Sequence, residues 1–129
     1  MNYLLDTCAF LWLVNGSEDH SPRAREAIDS PTATLYLSVL TAAELSIKAG
    51  KGRIQLPSPV ESWIRDAVRL HHLTLLPLEL GPAATAGTLP WIHSDPFDRI
   101  LVTTALLHSL PIITADETIA KYPGIRTLW

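Results

Sequence analysis

An α/β fold built on a parallel sheet is predicted by three features of the sequence. Short, continuous apolar runs of strand length recur along the chain. Longer segments with helical spacing separate them. Proline, serine and glycine fall where such segments begin and end. Parallel strands buried on both faces read as unbroken apolar runs rather than alternating ones, and the helices between them supply the crossovers.

Leu4 and Leu5 lead into Asp6 as the first strand, and Cys8 to Val14 reads as the helix that follows. Ser21-Pro22 combines an N-cap residue with proline at the first helical position and opens a helix through Ile28. Leu35 to Leu37 is a second strand, and Ala42 to Ala49 a helix that stops at Gly50. After a turn bracketed by Pro57 and Pro59, a stripe of Val60, Trp63, Ile64, Ala67, Val68 and His71 predicts a helix over 60–71. Leu73 to Leu76 is a third strand and Glu79 to Gly87 a short helix. Pro96 to Leu110 is the most regular helix, apolar on more than one face and therefore buried. Pro111 to Thr114 and Ile125 to Leu128 complete five strands.

The 129 residues suit one domain, taken as 1–129, and the 47% apolar content is enough for a core. A net charge of −3 argues against binding nucleic acid through bulk positive charge. Cys8 is the only cysteine, so no internal disulfide forms; its apolar neighbours suggest a small core residue rather than a nucleophile. The apolar start lacks a basic segment and is interrupted by Asp6, which does not fit a signal peptide. No stretch suits a membrane span, and a cytoplasmic protein is expected.

The placement of the acids carries the functional signal. Asp6 and Asp116 follow the first and fourth strands. Glu44 falls in the first turn of its helix as read here, and Asp98 in the first turn of the buried helix. Ligands of open parallel sheets bind at the carboxyl ends of the strands, where Asp6, Glu44 and Asp116 can meet and where Asp98 joins them if its helix starts at that edge. Each acid also has a purely structural explanation. Asp6 and Asp116 suit N-caps, Thr41-Ala42-Ala43-Glu44 matches a capping box, and Asp95-Pro96-Phe97-Asp98 suits a cap followed by a dipole-matched acid. Only the conjunction points to a site. Clustered carboxylates repel, and a divalent cation relieves them; oxygen donors suit magnesium or manganese, whereas zinc prefers cysteine or histidine. The histidines are scattered and read as surface or core residues, with His93 alone a candidate for an indirect role behind the metal ligands. Such a metal site hydrolyses phosphodiesters. With the four acids set aside, nine acids face ten lysines and arginines. Lys48, Lys51 and Arg53, together with Arg99, are candidates to carry an RNA backbone, although the first three also suit a helix C-terminus.

The segments LLDTCAFLWL, S-x-x-T-A-A-E-L-S-I-K-x-G-K-G, H-S-D-P-F-D-R-I-L and I-I-T-A-D together resemble the PIN-domain family, and within it the VapC-type toxins of toxin–antitoxin pairs. The resemblance runs from Met1 to Asp116, and the D-P-F-D-R segment is its most specific part. It implies a three-layer α/β/α fold with a five-stranded parallel sheet and a Mg2+- or Mn2+-dependent endoribonuclease. Its acidic quartet maps onto Asp6, Glu44, Asp98 and Asp116, with Thr7 and Thr114 as hydroxyl neighbours of the metal and Asp95 as a cap beside it. It also implies a cognate antitoxin. An antitoxin arginine is expected among the acids, beside a helix packed on Phe10, Leu11, Trp12, Leu13 and the helix after Glu44. Similar toxins form homodimers, and Val39, Leu40, Trp63 and the other tryptophans offer apolar surface for self-association.

Other classes fit less well. A phosphoacceptor receiver domain needs an acidic pair after the first strand, where Asp6 is followed by Thr7, and an aspartate after the third, which ends Leu76-Pro77. A haloacid-dehalogenase-like phosphatase needs a second aspartate where Cys8 stands. A PIN-like RNA-binding or assembly module without turnover is the remaining alternative.

Overall fold

A computed structural model describes residues 1–129. Five parallel strands form one sheet in the order β3-β2-β1-β4-β5: β1 (Asn2–Leu5), β2 (Thr34–Ser38), β3 (Thr74–Leu76), β4 (Ile112–Ile113) and β5 (Thr127–Leu128). The helices are α1 (Thr7–Val14), α2 (Pro22–Asp29), α3 (Val39–Gly50), α4 (Val60–Leu70), α5 (Leu80–Thr85) and α6 (Pro96–His108). The strand-and-helix alternation expected from the sequence is therefore present throughout.

Successive residues of each strand point to opposite faces, and this builds two cores. Tyr3, Leu5, Leu35, Leu37 and Ile113 face one side and pack with Phe10, Leu13, Ala24, Ile28, Leu45, Ile64 and Ala67 of α1–α4. Leu4 and Ile112 face the other and pack with Leu101, Val102 and Ala105 of α6, together with Ile119 and Tyr122. The result is three layers, helices on sheet on helices. None of the helices is long and apolar enough to cross a membrane.

Several helix boundaries differ from the sequence expectation, and three of the differences have a clear local cause. α3 starts three residues before Ala42, because the Ser38 hydroxyl caps it by accepting from the Leu40 N–H. Thr41 thus lies inside the helix, the Thr41–Glu44 capping box does not exist, and Glu44 sits in the second turn. α4 ends at Leu70, one residue early, since His72 adopts a left-handed φ of 53°. α6 ends at His108, two residues early, where Ser109 adopts the same conformation and its N–H reaches back to Ala105 and Leu106. Pro22 and Pro96 do occupy the first helical turn, capped by the side chains of Ser21 and Asp95.

The chain runs outward from β1 through β2 to β3 and then returns to the other side of β1 as β4 and β5. The strand order reverses between β1 and β4. The crevice at their carboxyl ends is where such sheets take ligands. Asp6 follows β1 directly, and Asp116 lies three residues after β4.

Candidate active site

Asp6, Glu44, Asp98 and Asp116 line a single cleft at this edge, with Thr7, Cys8, Trp12, Lys48, Asp95 and Ala115; its volume is about 340 Å³. The topology brings them there. Asp6 ends β1 and caps α1, its Oδ1 accepting from the Ala9 N–H at 2.7 Å. Its Oδ2 accepts from the Thr114 hydroxyl, which in turn accepts from the Asp116 N–H at 3.0 Å. Thr114 therefore ties the ends of β1 and β4 together. Glu44 projects from α3, its Oε1 accepting from the Thr7 hydroxyl and its Oε2 from Lys48 Nζ, both at 2.6 Å. Asp98 comes from the first turn of α6. Asp116 Oδ1 accepts from the Thr118 N–H, which leaves Oδ2 for the cleft.

Electrostatics in the cleft are unbalanced. Burial lifts the Asp6 carboxyl above its ordinary range, against the hydrogen bonds from Thr114 and Ala9, and Asp116 and Glu44 lift it further. Burial also raises Asp98 to about 6, with Asp95 adding to the effect and His93 opposing it. Lys48 is paired to Glu44 and is itself held above its usual range chiefly by that contact. Cations are thus too few for the carboxylates gathered here. The donor set is mainly carboxylate oxygen, with one imidazole: His93 Nε2 and carboxylate oxygens of Asp98 and Asp116 lie within 4.8 Å of one another. Hard oxygen donors and surplus negative charge fit magnesium or manganese.

Several expectations need correction. Arg99 does not face the cleft. It is 3% exposed and donates to the carbonyls of Ala86, Leu89, Pro90 and His93, with its guanidinium 3.6 Å from the ring centre of the exposed Trp91. It is a clamp for the 86–93 loop, and its donors are turned to backbone rather than to RNA. Cys8 is not a core residue, because the turn of α1 directs it to the cleft. Burial, followed by the nearby Asp6 and Glu44, pushes its thiol pKa up, which disfavours the nucleophilic thiolate. Phe10 and Leu13 are buried in the core, so of that stretch only Leu11 and Trp12 are partly exposed. Lys48 does line the site, and Lys51 and Arg53 are exposed in an adjoining cleft that Glu44 and Lys48 share.

Sequence reasoning left His93 in an assisting role at most. Its Nε2 lies 3.3 Å from Asp98 Oδ2 and 3.8 Å from Asp116 Oδ2. The signal was its position five residues before Asp98, in the loop that feeds α6.

A family model described as PIN domain matches residues 3–125. The chain belongs to the PIN domain family. Among the relatives of this PIN domain, Ribonuclease VapC22 of Mycobacterium tuberculosis is 30% identical over 129 residues, covering 98% of this chain and 97% of the relative. Two solved structures share its fold. VapBC2 from Rickettsia felis, bound to a DNA fragment from its promoter, aligns with a TM-score of 0.70 at 16% identity, covering 98% of this chain and 97% of that one. FitAcB from Neisseria gonorrhoeae aligns at 0.54 with 18% identity, covering 98% and 96%. At these identities the structural likeness speaks for the fold of this PIN domain alone.

Proposed function

We propose that this PIN domain, a single domain over residues 1–129, is a metal-dependent endoribonuclease serving as the toxin of a toxin–antitoxin pair. The observation that carries the reading is the convergence of Asp6, Glu44, Asp98 and Asp116 at the switch point of the sheet, with surplus negative charge and one paired lysine. The near full-length relative named a ribonuclease supports the same chemistry.

In this reading the four carboxylates would hold Mg2+ or Mn2+. The ion supplies Lewis acidity toward a phosphodiester and offsets the charge of the cluster. The chain's own contribution is preorganisation. Thr114 and the Ala9 N–H fix both oxygens of Asp6, and Thr7 and Lys48 fix Glu44, so little reorientation is needed on binding. Lys51 and Arg53 beside the cleft would meet the phosphates of an RNA strand. Water attacks phosphorus, the bond to the 3′ oxygen breaks, and the products carry a 3′-hydroxyl and a 5′-phosphate; no ribose 2′-hydroxyl takes part.

Such an activity needs restraint in the cytoplasm. The carboxylate cluster suits an arginine fork from an antitoxin. A groove of about 280 Å³ beside α3 and α4, lined by Leu37, Val39, Ala42, Val60, Ile64 and Leu75 among others, offers apolar surface in place of the buried Phe10 and Leu13. Expression in cells tests the biological role. The chain alone arrests growth, and co-expression with a small neighbouring reading frame restores it. A chain that is harmless and cuts no RNA with either metal would instead be a non-catalytic PIN module.

A further inference from the structure

The following rests on the reading of Asp98 and Asp116 as metal-holding carboxylates. We propose that His93 is a positioning residue of this site: its imidazole, fixed as the Nε2–H tautomer, turns that N–H towards Asp98, with Asp116 next nearest, and from outside the bound ion biases the direction in which both carboxylates face.

The main chain of His93 is held from two sides. Its N–H donates to the Tyr122 hydroxyl at 3.0 Å, and the same hydroxyl donates to its carbonyl at 3.3 Å. Arg99 Nη1 donates to that carbonyl at 3.0 Å. Both clamping residues are buried, Tyr122 at 2% and Arg99 at 3% exposure. The ring is then oriented by a separate contact, the Asp95 N–H donating to Nδ1 at 3.1 Å. A ring nitrogen that accepts a hydrogen bond carries no proton, so the proton of the neutral ring sits on Nε2. That nitrogen faces Asp98 Oδ2 at 3.3 Å and Asp116 Oδ2 at 3.8 Å.

Two consequences follow. A protonated nitrogen has no lone pair to offer a cation, so in this tautomer the imidazole stands beside the carboxylates of Asp98 and Asp116 with its N–H facing them rather than serving as a third ligand. The ring also spans two elements, α6 and the segment after β4, which no other side chain in the cleft links at these oxygens. Donors behind ligating groups commonly contribute 10–100-fold to metal affinity. Tyr122 and Arg99 already secure the loop, so the ring is not needed to hold it.

Calorimetric titration of Mg2+ and Mn2+ into the purified chain tests this. His93→Ala weakens both ions about 10–100-fold while its circular dichroism in chelator stays native. His93→Gln, whose amide N–H reaches towards the place of Nε2–H, recovers most of the loss. Long-range proton–nitrogen NMR of the wild-type ring, recorded where it carries a single proton, shows that proton on Nε2 before and after saturation with Mg2+. Unchanged affinity in His93→Ala, or a ring proton that moves to Nδ1 when Mg2+ binds, overturns the proposal. Failure of the wild-type chain to bind either ion removes the metal reading itself, and the role of His93 with it, before any variant is compared.

Discussion

Asp6, Glu44 and Asp116 hold hydrogen bonds within the fold besides lining the cleft, and this structural part is separable from the proposed chemistry by substitution. Asp6→Asn keeps an oxygen for the Ala9 N–H but loses charge; RNA cleavage is expected to fall to background while circular dichroism stays native. Asp98 gives a pH-dependent test. Its folded-state pKa of about 6 lies above the ordinary 3.8, so the folded state binds the proton more tightly than the unfolded one. The stability this group contributes is present below about pH 4 and lost as pH rises through 6. Without metal, Asp98→Asn therefore raises the melting temperature at pH 7.5, by on the order of 4 °C for about 1 kcal/mol after allowing for its partial exposure. The gain shrinks towards pH 4; paired thermal melts in chelator check it, and a gain independent of pH contradicts it. The same proton competes with the cation, so metal affinity falls as pH drops below 6. These four acids were legible in the sequence because each follows a strand within three residues or lies on a helix that borders the same sheet edge. The direction of Cys8 was not, because apolar neighbours in sequence do not say which face of a short helix a residue takes.

At the scale of elements, α6 organises the site through its first turn. Asp95 caps it, Asp98 enters the cleft, and Arg99 turns the other way to bind the 86–93 loop. The D-P-F-D-R segment thus couples a helix start, a site carboxylate and a loop clamp. Arg99→Met removes the guanidinium donor from the carbonyls of Ala86 and Leu89 and leaves those of Pro90 and His93 only the Ile92 N–H and the Tyr122 hydroxyl, and an expected cost of about 3 kcal/mol is measurable by urea unfolding. Amide exchange should quicken in residues 86–93 before the rest of the chain. A loss within 0.5 kcal/mol, with exchange unaltered, contradicts the clamp. Asp95→Ala costs about 1 kcal/mol as a lost cap. The helices themselves were readable from Ser21-Pro22 and Asp95-Pro96. Their ends were less so, since His72 and Ser109 stop α4 and α6 in a left-handed conformation usually marked by glycine. Arg99 was read as a basic residue available to RNA because its partners are main-chain carbonyls, which leave no mark in a sequence.

The whole molecule places an acidic cleft at one edge of a buried parallel sheet, with basic residues in the cleft beside it. The three-layer order was foreseeable from the alternation of apolar runs and helices. The clamp between Tyr122 and His93 was not, since it joins residues 29 apart through a loop without periodicity. Leu40 is buried and Trp63 packs against Phe10 on the core, so neither offers the self-association surface expected of them; with Val39 and Ile47 exposed on α3 a homodimer is still the expected state, and light scattering at micromolar concentration should return twice the 14.2 kDa chain mass. The central claim is that the carboxylate cluster cuts RNA through a divalent cation. Its most direct test is cleavage of a defined RNA by the purified chain with Mg2+ or Mn2+, with chelator, and as Asp98→Asn. Cleavage leaving 5′-phosphate ends with metal, and none with chelator or in the variant, is the predicted result; equal cleavage in all three conditions would contradict it.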